Sequence, residues 1–283
     1  MKLVKKLAAL GLAAVMAFSM AACGSSGKVG TFEEVGDADS EVIETGAGGT
    51  IVFGTNAEFP PFEYVAGEGV IDNFDGIDMA IAKQIAEENG KTASINNMEF
   101  DSLLLALQNG QVDAVIAGMT ITDERKEAVD FSEPYYTATQ VMIVRDDSDI
   151  KKASDMKDKK IVVVQGYTGE TCVQDLGYSY EAFKKGSETI LELTNGKCDV
   201  VVIDSATAEK YVADNQGIKI VEDPDAFAAE EYGIAVKKGN TELLDQINAS
   251  IKKMKEDGTI ASISAQYLDA DTTSEDGGDS EAE

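Results

Sequence analysis

The 283-residue chain has no histidine and no tryptophan, four prolines and three cysteines, and fewer than half as many bases as acids. Without histidine, a Ser-His-Asp triad, a Cys-His pair and a His-ligated metal site are impossible. The cysteines stand at 23, 172 and 198 with no CxxC spacing, which excludes a zinc ribbon and a dithiol redox motif. Lys and Arg number 24 against 52 Asp and Glu, for a net charge of −28. Nucleic acid is thereby excluded as a partner, because phosphate binding needs basic patches. Past the N-terminus no apolar run approaches about 18 residues, so no transmembrane helix is expected there. No cofactor is called for. Ile71–Gly76 has a calcium-like look, but Ile71 and Asn73 break the acidic spacing that such a loop requires.

What is present starts with the ends. Lys2, Lys5 and Lys6 precede an apolar run from Leu7 to Met20, and small residues lead to Cys23. This reads as a signal peptide over residues 1–22, with a retained anchor helix as the alternative. Met20-Ala21-Ala22-Cys23 resembles the bacterial lipobox, with Met where Leu is usual. The resemblance implies cleavage before Cys23 and lipid on its sulfur; plain secretion is the alternative. Residues 23–48, rich in Gly, Ser, Asp and Glu, read as a disordered tether, and 269–283, with seven acids and no base, as a solvated tail.

Between the ends, short β-branched runs alternate with helical patterns, which means an α/β architecture with mostly parallel sheets. Strands are expected at Ile51–Thr55, Val112–Ala117, Ile161–Gln165 and Asp199–Ile203. Helices are expected at Asp78–Glu88, at Ser102–Asn109 behind a cap at Asp101, at Gly169–Leu176 and at Ser187–Asn195. A weak repeat lies across this pattern. Residues 107–116 align with 193–202 at an offset of 86: a helix end, a glycine cap and an apolar strand. Gly118 and Asp204 then fall at equivalent places past strand ends, as do Asn56 and Gly166. Two facing α/β lobes would put these positions on one cleft.

Several residues there carry possible chemistry. Arg125 sits in the first turn of a short helix capped by Thr122, and its planar fork matches a carboxylate; a solvated arginine paired with an acid is the plainer reading. Asp204 either receives an ammonium or caps the next helix. An arginine and an aspartate facing across one cleft would fit an α-amino acid. Phe59 and Phe100 are candidate walls for a ligand side chain, whereas Phe62 and Tyr64 read as core. Gln165–Gly169 is a glycine-bearing turn that offers backbone N–H groups. Cys172 and Cys198 read as free thiols rather than a pair.

Together, Gly54–Tyr64, Gly76–Asp78, Gly118–Arg125, Asp130–Tyr136 and Val202–Asp204 make the chain resemble the polar amino-acid-binding proteins of ABC importers, from about residue 50 to 268. The resemblance implies the type II periplasmic-binding-protein fold: two lobes (49–136 with 233–268, and 140–228) joined by a two-strand hinge around a ligand cleft. It further implies that Arg125 clamps the substrate carboxylate with help from Thr120 and Gly118, and that Asp204 takes the α-ammonium. Phe59 and Phe100 sandwich the side chain, Asn56 reads its tip, and Thr168 and Gly169 contribute from the second lobe. Asn56 departs from the Asp of some basic-amino-acid binders. Gln165 and the run from Val221 to Gly233 nonetheless resemble arginine/lysine-binding members, so the expected ligand is a polar amino acid, leaning to Arg, Lys or His. The expected protein is no enzyme but a monomer on the outer face of the cytoplasmic membrane, held by lipid on Cys23 and delivering to importer permease subunits. The rivals are a dehydratase-like enzyme with Glu58 or Glu170 as acid, and an amino-acid sensor.

Overall fold

The computed structural model describes residues 48–268. The leader, Cys23, nearly all of the tether and the acidic tail lie outside the described residues. β1 (Thr50–Thr55) leads through a small antiparallel patch, β2 (Glu58–Phe59), β3 (Glu63–Val65) and β4 (Phe74–Asp75), into α1 (Ile77–Glu88). β5 (Thr92–Asn97), α2 (Leu103–Gln108), β6 (Ala114–Val115), α3 (Asp123–Ala128) and β7 (Val129–Phe131) follow. β8 (Tyr136–Arg145) crosses to a second run: β9 (Ile161–Val164), α4 (Thr168–Asp175), β10 (Tyr180–Phe183), α5 (Gly186–Thr194), β11 (Val200–Asp204), α6 (Ser205–Asp214) and β12 (Ile218–Val221). β13 (Ala229–Tyr232) crosses back to β14 (Ala235–Lys237), α7 (Thr241–Glu256) and α8 (Thr259–Leu268).

The strands form one sheet ordered β5-β1-β6-β14-β7 and another ordered β10-β9-β11-β8-β12. In both, the first three strands run parallel and the fourth antiparallel. β8 and β13 pair where they cross between the lobes, with Thr139 opposite Ala229 and Tyr136 opposite Tyr232. The molecule is thus two α/β lobes joined by a two-strand hinge.

Burial explains why these segments are strands. Every residue of β9 and β11 is buried. A parallel strand covered by helices on both faces has no polar side, so it reads as an unbroken apolar run. Val163, Val200 and Val202 pack in one core cluster, while Val162, Val164, Val201 and Ile203 pack in another on the opposite face.

The repeat at offset 86 is structural. α2 and α5 both end in a glycine with positive φ, Gly110 at 72° and Gly196 at 69°, a conformation that costs glycine nothing. The aspartates three residues on make the same bonds. Asp113 Oδ2 accepts the Val52 N–H at 2.9 Å, and the Asp113 N–H donates to Val52 O at 2.8 Å. Asp199 makes both bonds with Lys160, each at 2.9 Å.

Some boundaries differ from expectation. The strand expected at Val112–Ala117 pairs only over Ala114–Val115. Asp101 is no cap: it lies inside a 3-10 turn, Phe100–Ser102, that precedes α2. The strand expected to end at Ile203 runs through Asp204. Phe62 is core, but Tyr64 is only half-buried. Cys172 and Cys198 are free thiols, each pushed up to about 12 by burial. No helix among the described residues is long and apolar enough to cross a membrane.

Candidate functional site

The carboxyl ends of β1 and β6 in one sheet, and of β9 and β11 in the other, converge on the cleft. A narrow cavity of ≈ 10 Å³ there is lined by Phe59, Phe100, Gly118, Thr120, Arg125, Thr168 and Asp204, all expected from the sequence, with Ala117 and Tyr167. That volume holds about one water, so the lobes must part before a larger molecule can enter.

Arg125 owes its place to local sequence. Thr122 caps α3, its hydroxyl accepting the Arg125 N–H at 3.2 Å. The preceding segment is fixed to the hinge: Ile121 N–H donates to Glu231 O at 2.8 Å, and Gly233 N–H to Met119 O at 3.0 Å. The guanidinium then turns inward. Nη1 donates to Thr120 O at 2.7 Å and Nη2 to Gly166 O of the other lobe at 2.9 Å, with Cζ 5.3 Å from the Phe100 ring centroid. Burial pulls its pKa down, opposed by the charges of Asp204 and Glu230. The plainer reading of Arg125 as a solvated side chain therefore falls.

Asp204 sits at the N-cap position of α6, yet its side chain makes no capping bond. Its carboxylate instead accepts the Tyr232 hydroxyl at 2.6 Å and is 3% exposed. Burial first, then the charge of Glu230, push it up to about 7. A buried carboxylate with so few donors can receive a cation.

Gly118 shows why no side chain is tolerated just past β6. A Cβ there would stand 2.5 Å from the Phe59 ring. Its N–H donates to Asp78 Oδ2 at 2.7 Å, and the Tyr135 hydroxyl donates to the same oxygen at 2.9 Å. Glu63 lies beside Asp78, and its pKa is driven well up, first by burial and then by Asp78. Burial and the neighbouring Asp78 thus favour the protonated form of Glu63, and the pair stands behind Gly118 and Phe59.

Three expected residues do not line the narrow cavity. Asn56 is engaged at both ends: Nδ2 donates to Met98 O at 2.9 Å, and Oδ1 accepts the Tyr167 hydroxyl at 3.3 Å. Gln165 is exposed at the rim, its Nε2 donating to Asp101 Oδ2 of the other lobe at 3.0 Å. Gly169 is buried against β11, where a Cβ would meet Val202 O at 2.7 Å.

Sequence reasoning missed two residues. Tyr167 packs against both expected walls, 5.3 Å from the Phe59 centroid and 4.6 Å from that of Phe100. Glu230, on the hinge strand, accepts the Thr120 hydroxyl at 2.8 Å and the Thr168 hydroxyl at 2.6 Å, one from each lobe. Tyr167 stood inside the Gln165–Gly169 turn and Glu230 inside the run ending at Gly233, but neither carried a local mark of its destination.

Residues 51–270 match the family described as bacterial extracellular solute-binding proteins, family 3. The chain belongs to this family. An arginine-binding extracellular protein of Bacillus subtilis is 33% identical over 93% of this chain and 98% of its own length. A probable histidine-binding protein of Neisseria gonorrhoeae is 35% identical over 93% of this chain and 96% of its own. Among solved structures, the arginine-, lysine-, histidine-binding protein of Geobacillus stearothermophilus is 34% identical, with a TM-score of 0.73 over 79% of this chain and 100% of that one. An ancestral arginine-binding protein bound to arginine is 43% identical, with a TM-score of 0.72 over 77% of this chain and 97% of that one. The same fold is thus shared with the type II periplasmic binding proteins.

Proposed function

We propose that this chain is the extracytoplasmic substrate-binding protein of an ABC importer and captures a free polar L-amino acid, with a lean to arginine, lysine or histidine. The carrying observation is that Arg125 of one lobe and Asp204 of the other line a single narrow cavity. Opposite charges held that way fit the carboxylate and ammonium of an α-amino acid, and neither lobe alone offers both. The Arg125 fork takes the carboxylate, assisted by Thr120, Thr168 and the Gly118 backbone; Asp204 takes the ammonium. Relatives named for arginine and histidine support the basic lean. Glutamine stands next, since a relative named for it is 34% identical and the ancestral protein has also been solved with glutamine.

The lobes are residues 49–136 with 233–268, and 140–228. Interlobe contacts hold the closed form: Lys185 Nζ lies 2.7 Å from Glu58 Oε1, and the Tyr211 hydroxyl donates to Glu58 O at 3.3 Å. The protein acts as a monomer, anchored outside the cytoplasmic membrane by lipid on Cys23. Clamping both charges of a substrate favours binding over turnover, because uniform binding accelerates nothing. The carboxylates that a dehydratase-like reaction would use have partners, Glu58 in its ion pair and Glu170 accepting the Gly166 N–H at 2.7 Å.

A thermal-shift screen of the twenty amino acids tests the binding claim. A rise confined to polar, chiefly basic, amino acids is expected, and no rise with any would overturn it. Formation of product from any of them would favour the enzyme. Cys23→Ala should release the protein from the membrane fraction into the medium; continued sedimentation with membranes would refute the anchor.

A further inference from the structure

We propose that Glu63 and Asp78 share one proton in the native protein at neutral pH, a buried link that ties the Phe59 wall to the Gly118 turn and weakens the fold as the pH rises. This goes beyond the amino-acid reading and does not depend on it.

Both side chains are 0% exposed, yet they are short of donors. Asp78 Oδ2 accepts the Gly118 N–H and the Tyr135 hydroxyl. Its other oxygen and both oxygens of Glu63 have no donor among the described residues. The two carboxyl groups lie within hydrogen-bonding reach of each other. A proton between them accounts for these unpartnered acceptors: the Glu63 O–H donates to Asp78, and the pair carries one charge rather than two. Two like charges held together out of water would be strongly unfavourable. The other titratable groups around the pair bring no counter-charge. Asp204, where ionised, adds a like charge, and Tyr135 and Tyr167 are neutral hydroxyls. Two donors stabilise ionised Asp78 and none stabilises ionised Glu63, so the proton stays with Glu63.

The link joins parts of the site. Glu63 stands directly across from Phe59 in the β2–β3 ladder. The start of α1 is fixed beside it, the Ile77 and Asp78 N–H groups donating to Pro61 O and Phe62 O. The connection therefore runs from Phe59 through Glu63, the proton and Asp78 to the Gly118 N–H.

Stability should follow the proton. In the unfolded chain Glu63 ionises near its ordinary value of 4.5, whereas in the native protein it keeps its proton to higher pH. The stability it contributes is fully present below that value and is lost as the pH rises towards the native one. The unfolding constant grows by at most about tenfold per pH unit in that window.

Urea titration of the full protein and of Glu63→Gln, from about pH 5 to about pH 8, tests this. The Gln amide keeps the shape and donates to Asp78 without titrating. The ratio of parent to variant unfolding constants should rise roughly tenfold or more across the range. A ratio constant within about twofold would overturn the proposal. Infrared spectroscopy at the same upper pH gives a readout that packing alone would not move. Folded parent should show the carbonyl stretch of a protonated carboxylic acid, lost on unfolding at that pH and absent from Glu63→Gln. No such band in the folded parent would overturn the proposal even where the variant fails to fold, and so would a band that persists in the folded variant.

Discussion

The two lobes share a plan and differ in the residues placed just beyond their strands. In both sheets the first three strands run parallel and the fourth antiparallel, and Asp113 and Asp199 make the same pair of backbone bonds, one with Val52 of β1 and the other with Lys160 just before β9. Past β6 comes Gly118, whose missing Cβ admits the Phe59 ring; at the equivalent place, the last residue of β11, stands the buried carboxylate of Asp204. The first lobe adds Arg125 in the first turn of α3, behind a segment fastened to the hinge, and the second adds Tyr167. The scaffold therefore repeats while the chemistry does not. On the proposed function, ligand selectivity would be set by the few residues at these strand ends.

Substitutions should separate those two layers. The largest effect is expected from Arg125→Ala. Truncating one member of a buried charge pair costs about 2–5 kcal/mol, so affinity for the best amino acid should fall by roughly thirty-fold or more in calorimetry. Arg125→Lys should lose affinity as well, because an ammonium lacks the planar fork.

Asp204 should come next, with a pH signature. Burial first pushes it up to about 7, so at pH 6 most of it holds a proton that must leave before it can receive an ammonium. Affinity should therefore be roughly tenfold weaker at pH 6 than at pH 8. Asp204→Asn should bind roughly tenfold more weakly at pH 8 and give a flatter profile, since the titrating partner is gone. A parent affinity unchanged between the two pH values would count against Asp204 as the ammonium site.

The smallest effects belong to the shared scaffold. Asp113→Ala and Asp199→Ala each remove an acceptor for one backbone N–H. Each should lower unfolding stability by about 1 kcal/mol, by a similar amount in the two lobes, with ligand affinity unchanged. Denaturant titration of both variants checks this; a large loss in one lobe alone would break the equivalence of the two.

Much of the scaffold was legible in the sequence because its causes are local. The apolar runs at β9 and β11 announce strands covered on both faces, Gly110 and Gly196 mark helix ends, and Thr122 caps α3 as expected. Arg125 and Asp204 were legible as charges near strand ends, although β11 itself runs through Asp204. What was not legible depends on the approach of the other lobe. Gln165 meets Asp101 at the rim, Tyr167 reaches both aromatic walls, and Glu230 joins threonines from two lobes. None of those contacts has a signal within a few residues, because each partner lies dozens of positions away.

The central claim is that opposite halves of one clamp sit on separate lobes, so that binding requires the lobes to close on the hinge of β8 and β13. Small-angle X-ray scattering of the purified protein, with and without a saturating basic amino acid, tests it most directly. A smaller radius of gyration with ligand is predicted, with no such change in Arg125→Ala at the same ligand concentration. A radius that stays constant in the parent at proven saturation would contradict the account.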